Sequence, residues 1–186
     1  MKKMLTCRFI LVINVYFFCN ALYNIFMESY IDVSGRASEN FKNIARSVAL
    51  DVLRLTNQPK GLEIAISFVS ESEIQRINKE YRNIDKVTDV LSFPSTMTEV
   101  GEIFDLNSEE AIFLTQETGL VHFGDMALCT KRLRAQAKEF GNTPEAELKK
   151  LVIHSMLHLM GYDHIEDSDY EIMNKKEVEL DSLIKI

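Results

Sequence analysis

Cysteine is scarce in this sequence, and so is positive charge. Cys7, Cys19 and Cys129 are three in number, with no CxxC pair among them. That leaves neither a disulfide framework nor a cysteine zinc site, and it points to a reducing, cytoplasmic compartment. Lys and Arg total 21 against 28 Asp and Glu, for a formal net charge of −7. Such a molecule has no overall attraction for nucleic acid or an anionic membrane, so contact with a polyanion has to come from a local basic patch or a bound cation. A long uninterrupted apolar run is also missing. The most apolar stretch, Phe9 to Ile13 with Val15 to Phe18, is cut by Asn14 and followed by Asn20 and Asn24, which makes a poor membrane span. There is no internal repeat and no low-complexity segment.

What is present fits one domain. The chain has 186 residues, 46% hydrophobic and 26% charged, which is ordinary for a soluble globular protein. The first 26 residues stand apart, because Lys2, Lys3 and Arg8 accompany the apolar run and no acidic residue precedes Glu28. A basic start before an apolar run resembles a secretory signal. Three origins stay open: a true translation start at Met27, a genuine extension, or export.

Along the body, Phe41, Ile44, Val48, Val52 and Leu55 recur at helical steps from Ser38 to about Thr56. Pro59 and Gly61 break that helix, and Leu62, Ile64, Ile66 and Phe68 then alternate as a half-buried strand. Ser70 and Glu73 form a capping box for a second helix with Ile74, Ile77 and Tyr81 on its inner face. A strand from Asp89 to Phe93 stops at Pro94, and the stretch from Ser95 to Phe123 is expected to be a hairpin or a mobile loop. Met126 to Cys129 reads as another strand. Thr130 is placed to cap a helix ending at Gly141, and Thr143 with Pro144 opens a helix ending at Gly161. A last helix begins near Asp167 or Ser168. The mixed order predicts an α+β fold: a single domain with a small mixed sheet covered by helices.

The chemistry concentrates in His154-Ser155-Met156-Leu157-His158-Leu159-Met160-Gly161-Tyr162-Asp163-His164. Residues four apart share a helix face, so His154 and His158 can converge on one ion. Gly161 can take a positive φ and turn the chain back, which brings His164 over the same face as a third ligand. Three protein ligands leave a position for water, the arrangement of a catalytic rather than a closed structural zinc. Zinc is the expected ion, although a three-histidine site suits other divalent first-row metals. Ser155 stands where an HExxH peptidase needs its glutamate base.

These residues carry a family resemblance. The HxxxHxxGYDH segment resembles the signature of the YbeY family of bacterial metal-dependent endoribonucleases. Ile77-Asn78-Lys79-Glu80-Tyr81-Arg82 with Thr88-Asp89-Val90-Leu91-Ser92-Phe93-Pro94 is similar to that family's LNxxYR and TDVLSFP blocks, and Gly124-Asp125-Met126 to its strand entry. The family usually has glycine where Ser155 stands and a shorter link than Ser95 to Phe123, and its pattern has no counterpart to the leader before Met27. The resemblance implies a single-strand-selective endoribonuclease of 16S ribosomal RNA 3′-end maturation and ribosome quality control. Single-stranded RNA, ribosomal RNA and the ribosome are then the partners, with no DNA, and with no membrane for the body of the chain. The implied layout is an apolar leader over 1–26 and one metallohydrolase domain over 27–186.

Within that reading Arg82, at a helix end, is the expected catalytic phosphate-binding residue, because a guanidinium offers paired donors and stays charged. Lys131, Arg134 and Lys138 share a helix face, with Arg132 nearby, and make the best local basic patch for an RNA backbone. Asp163 is placed either to orient a ligand imidazole or to cap the turn after Gly161. His122 is expected to be structural or exposed, and Asp85 and Asp89 to be loop and strand-edge residues. Two rivals stay open from the residues alone: a zinc hydrolase of peptides or small molecules, and a ribosome-associated binding module with a structural metal.

Overall fold

The computed structural model describes residues 28–164 and 166–186. The leader over 1–26, Met27, Cys7 and Cys19 lie outside the described residues. Four strands and six helices follow in the order β1 (Tyr30–Gly35), α1 (Glu39–Leu55), β2 (Leu62–Val69), α2 (Glu71–Arg82), β3 (Val90–Pro94), α3 (Glu109–Leu114), β4 (Val121–Cys129), α4 (Thr130–Phe140), α5 (Pro144–Leu159) and α6 (Asp167–Leu183). The sheet order is β1-β2-β4-β3. β1, β2 and β4 run parallel and β3 lies antiparallel at the edge. The fold is the α+β domain with a small mixed sheet that the sequence predicts.

The two faces of the sheet are unequal. On one, Leu62, Ile64, Ile66 and Phe68 of β2 alternate into a large core with α1 and α5. On the other, α2 closes a small cluster of Ile74, Leu91, Ala127 and Cys129. α5 packs against α1, α4, α6, β3 and β4. It buries Leu148, Leu151, Val152, Ile153, Met156, Leu157 and Leu159 around most of its circumference, as a helix apolar on nearly every side must.

Local signals place most helix ends. The hydroxyls of Ser38, Ser70 and Thr143 accept from the backbone N–H groups of Phe41, Glu73 and Ala146. The capping box at α2 is only half formed, because the Glu73 carboxylate turns to Arg76 at 2.9 Å. Two expectations need correction. Thr130 does not cap α4: β4 runs directly into the helix, Cys129 takes the cap position, and the buried Thr130 hydroxyl has no hydrogen-bond partner among the described residues. Tyr81 is 63% exposed rather than turned inward, although its ring meets Phe93 edge-on at 5.4 Å.

Three features escaped the sequence pattern. β1 is a short edge strand with one fully buried side chain, Ile31, too little alternation to register. β4 starts at Val121, but a bulge opposite Glu63 and Ile64 shifts its phase. Val121 before the bulge and Phe123, its extra residue, face the large core, and Met126 and Leu128 do so after it. The stretch after Pro94 contains a six-residue helix, α3, and a tight turn from Gln116 to Leu120 closed by a Thr115–Val121 bridge. Phe104 and Ala111 anchor this stretch in the core, and Gln58 holds its backbone at Glu102 and Phe104.

Candidate metal centre

α5 ends in a motif that explains the histidine spacing. Gly161, at φ +81°, follows the cap residue Met160. Its N–H bonds the His158 carbonyl, and the N–H of Tyr162 bonds the Leu157 carbonyl, the paired closure of a Schellman motif. A side chain is impossible here for a second reason: a Cβ on Gly161 would lie 1.9 Å from the Thr98 carbonyl oxygen. The chain therefore reverses tightly under the Thr98 backbone, and His164 arrives beside the two helical histidines.

One ligand-competent atom from each of His154, His158 and His164 lies within 4.8 Å of the others. The His154 and His158 Nε2 atoms are 3.1 Å apart. Each of these rings is held from behind. His154 Nδ1–H donates to Glu177 Oε1 at 2.6 Å, and His158 Nδ1–H donates to the Tyr162 carbonyl at 2.9 Å. Those bonds put the proton on Nδ1 and leave both Nε2 lone pairs facing each other. Two facing lone pairs repel unless they share a cation. A tetrahedral ion with bonds of about 2.0–2.1 Å sets its ligands roughly 3.3 Å apart. The donor set therefore fits a first-row divalent metal on this structure's own geometry. Burial pushes the His158 pKa down to about 4, so the ring is the neutral ligand form at pH 7.

Glu177, on α6, is the residue that sequence reasoning missed. Its separation of 23 residues from His154 carries no local pattern. Asp163 Oδ1 accepts from the backbone N–H of His164 at 2.7 Å. The Ser155 hydroxyl is fully buried with no partner among the described residues.

The histidines line a cleft of about 890 Å³ whose opposite wall is the α2–β3 junction. Asn78, only 6% exposed, donates to the Lys86 carbonyl and pins the intervening loop. Arg82 Nη2 donates to the Ser92 carbonyl at 3.1 Å, and its guanidinium lies 6.0 Å from the centre of the Phe93 ring. Arg82, Lys86 and Arg132 are the cations of this cleft.

Lys131 and Arg134 are not among the lining residues. On α4 they occupy a different face and border a separate depression with Arg36 and Ser38. Lys131 is paired with Glu71, and Arg134 lies over the Phe41 ring at 5.5 Å. Lys138 is exposed and lines neither space. It is Arg132 and Gln136, one turn apart, that face the histidines. His122 sits in β4 rather than in a loop, bonded to Asp125 at 2.9 Å. Asp85 is engaged by Lys79 and Gln75, and the Lys79 bond holds its pKa below the ordinary carboxylate value. Asp89 lines the cleft.

Known proteins resemble the chain along most of its length. A family model described as endoribonuclease YbeY matches residues 28–184. The chain belongs to the YbeY family. An endoribonuclease YbeY of Clostridium botulinum (strain Loch Maree / Type A3) is 40% identical over 148 residues, covering 78% of this chain and 89% of that relative. One from Finegoldia magna is 44% identical over 135 residues, covering 73% and 76%. The solution structure of TM1509 from Thermotoga maritima superposes with a TM-score of 0.52 at 26% identity, covering 82% of this chain and 87% of that one. The YbeY match includes both walls of the cleft, and the blocks that carry the resemblance are the segments that build them. Tyr81 and Arg82 fasten α2 to β3 and Asn78 fastens it to the loop between them, and Gly161 shapes the return to His164. No helix among the described residues is long and apolar enough to cross a membrane.

Proposed function

We propose that this chain is a metal-dependent endoribonuclease of single-stranded RNA, with one zinc ion held by His154, His158 and His164 and a reacting phosphate held by Arg82. Its proposed setting is the cytoplasm, in 16S ribosomal RNA 3′-end maturation and ribosome quality control, with residues 27–186 acting as one metallohydrolase domain. The observation that carries the reading is the pairing of two walls across one cleft: three imidazoles whose ligand atoms converge, opposite a guanidinium in an otherwise acidic molecule.

A bound divalent ion supplies Lewis-acid polarisation of phosphoryl oxygen and a more acidic water. The chain's own residues do the rest. Glu177 and the Tyr162 carbonyl keep His154 and His158 in one tautomer and orientation. Arg82, with one N–H on Ser92, keeps the rest of its fork for a phosphate and offsets the charge that develops there. Lys86 and Arg132 extend the positive surface along the cleft for the neighbouring backbone. Asp89 and Asp163, the carboxylates lining this cleft, each commit Oδ1 to a backbone N–H.

The test is cleavage of a labelled single-stranded RNA by the purified protein with chelator, and with zinc restored. Cleavage that chelator abolishes and zinc restores is the expected result. Stoichiometric metal binding with no RNA cleavage under any condition would overturn the reading in favour of a structural metal.

A further inference from the structure

A second cavity of about 640 Å³ adjoins the cleft. The two share Thr88, Asp89, Val90, Gln136 and His154, which form the mouth between them. The cavity has the volume of pockets that enclose small organic ligands, roughly 300–1,000 Å³. Val90, Ile153 and Val178 give it apolar surface suited to the face of a ring.

The polar groups at the mouth are oriented from behind. Glu147, only 3% exposed, accepts from Gln136 Nε2 at 2.9 Å and from Asn142 Nδ2 at 2.7 Å. A buried carboxylate tolerates donors and repels acceptors, so the Gln136 amide cannot flip. Its carbonyl Oε1 is left for the mouth, where no hydrogen bond among the described residues engages it. Asp89 behaves alike: Oδ1 accepts from Thr88 Oγ1 and from the Val90 N–H, both at 2.9 Å, which leaves Oδ2 as an acceptor. The mouth thus presents two acceptors beside a metal-ligating histidine, and their complement is a flat group carrying N–H donors.

We propose that this cavity is a base-binding subsite that takes the nucleobase beside the scissile phosphate and selects bases bearing an exocyclic amine. Gln136 and Asp89 accept from that amine, and Glu147 is the positioning residue that holds Gln136 in register. The inference rests on the endoribonuclease reading above. Adenine, cytosine and guanine each carry an exocyclic amine, whereas uracil has none and places carbonyls on both sides of its single ring N–H. Acceptor facing acceptor is repulsive, so uracil is the base this mouth rejects.

The test uses the zinc-loaded full chain and a set of single-stranded RNAs identical except for the nucleotide on either side of the cleavage position. On one of the two sides, uracil should lower kcat/KM about tenfold relative to the other three bases. Gln136→Ala should bring that ratio close to one. Glu147→Gln keeps the side-chain volume but lets the Gln136 amide turn its NH₂ outward, so the preference should shift toward uracil while metal content holds. A packing role alone would not reverse a base preference. Equal rates for all four bases on both sides, or full discrimination retained by Gln136→Ala, would overturn the subsite and leave the nuclease standing. If the wild-type protein cleaves no RNA, the nuclease reading fails. The cavity is then judged by binding of AMP, CMP, GMP and UMP, where equal affinities, or a difference unmoved by Gln136→Ala, overturn the proposal.

Discussion

The two walls of the cleft are held to different tolerances. The histidine wall is a buried helix packed against five other elements, with both of its imidazoles tied from behind at 2.6 and 2.9 Å. The arginine wall ends in an exposed side chain steadied by one hydrogen bond of 3.1 Å and an aromatic ring, over a core of four small-cluster residues. The chemistry expected of each explains the contrast. Ligands to an ion must converge within tenths of an ångström, and a pre-formed set loses little in reorganisation. A group that follows a flexible RNA phosphate is better left with some freedom.

The comparison breaks most severely if the rigid wall loses a ligand. His158→Ala is expected to remove most bound metal and all measurable RNA cleavage while leaving the far-ultraviolet circular dichroism largely intact. Stoichiometric metal with full turnover in that variant would reject the site. On the looser wall, Arg82→Lys keeps the charge and loses the planar fork, so turnover should fall about 10²–10³-fold. Metal content should not change, and stability should stay within about 0.5 kcal/mol. The loss should fall on kcat at least as much as on KM, as for an interaction that strengthens in the transition state. Unaltered cleavage by Arg82→Lys and Arg82→Ala would leave the histidines without a phosphate partner. Glu177→Gln sharpens the contrast from the rigid side: losing the charged partner of His154 should weaken zinc affinity about 10–100-fold, measured by competition with a chromophoric chelator.

Two smaller effects probe the same helix without touching RNA. In metal-free protein, the folded pKa of His158 lies near 4 against an ordinary value of 6.5. The unfolded chain then binds the extra proton between those values, so this histidine's contribution is full above about pH 6.5 and is lost as pH falls toward 4. Chemical unfolding of apo protein across that window should show a shallower pH slope in His158→Gln than in wild type; equal slopes would rule the contribution out. Ser155→Ala deletes a fully buried hydroxyl that has no partner among the described residues and should raise stability by about 1 kcal/mol, read from denaturant midpoints with metal content unchanged. A loss of stability would mean that the hydroxyl has a partner after all.

Much of the rigid wall was legible in the sequence because its determinants lie within a turn or two of one another. The i, i+4 histidines, Thr143 with Pro144 at one end of α5 and Gly161 at the other each act over a few residues, where helical geometry alone sets direction. The looser wall was legible in part. Arg82 could be placed at a helix end, but not the Ser92 carbonyl that steadies it. Lys131, Arg134 and Lys138 share a stripe of α4 that the sequence shows, but only the packing of α4 on α5 decides that Arg132 and Gln136 line the cleft of the histidines.

The sequence by itself determined the helices with clear periodicity and caps, the alternation of β2, and the identity of the three imidazoles, because each is encoded between near neighbours. Only the tertiary structure decided the edge strand β1, whose parallel partner lies more than thirty residues away, and the phase slip in β4. It alone decided the Glu177 support of His154, the Thr98 carbonyl over Gly161, and the buried Glu147 that orients Gln136. Those contacts join residues whose separation along the chain says nothing about their distance in space. Which carboxylate meets which ring depends on where helices cross the sheet, and that is settled by burial of the whole core.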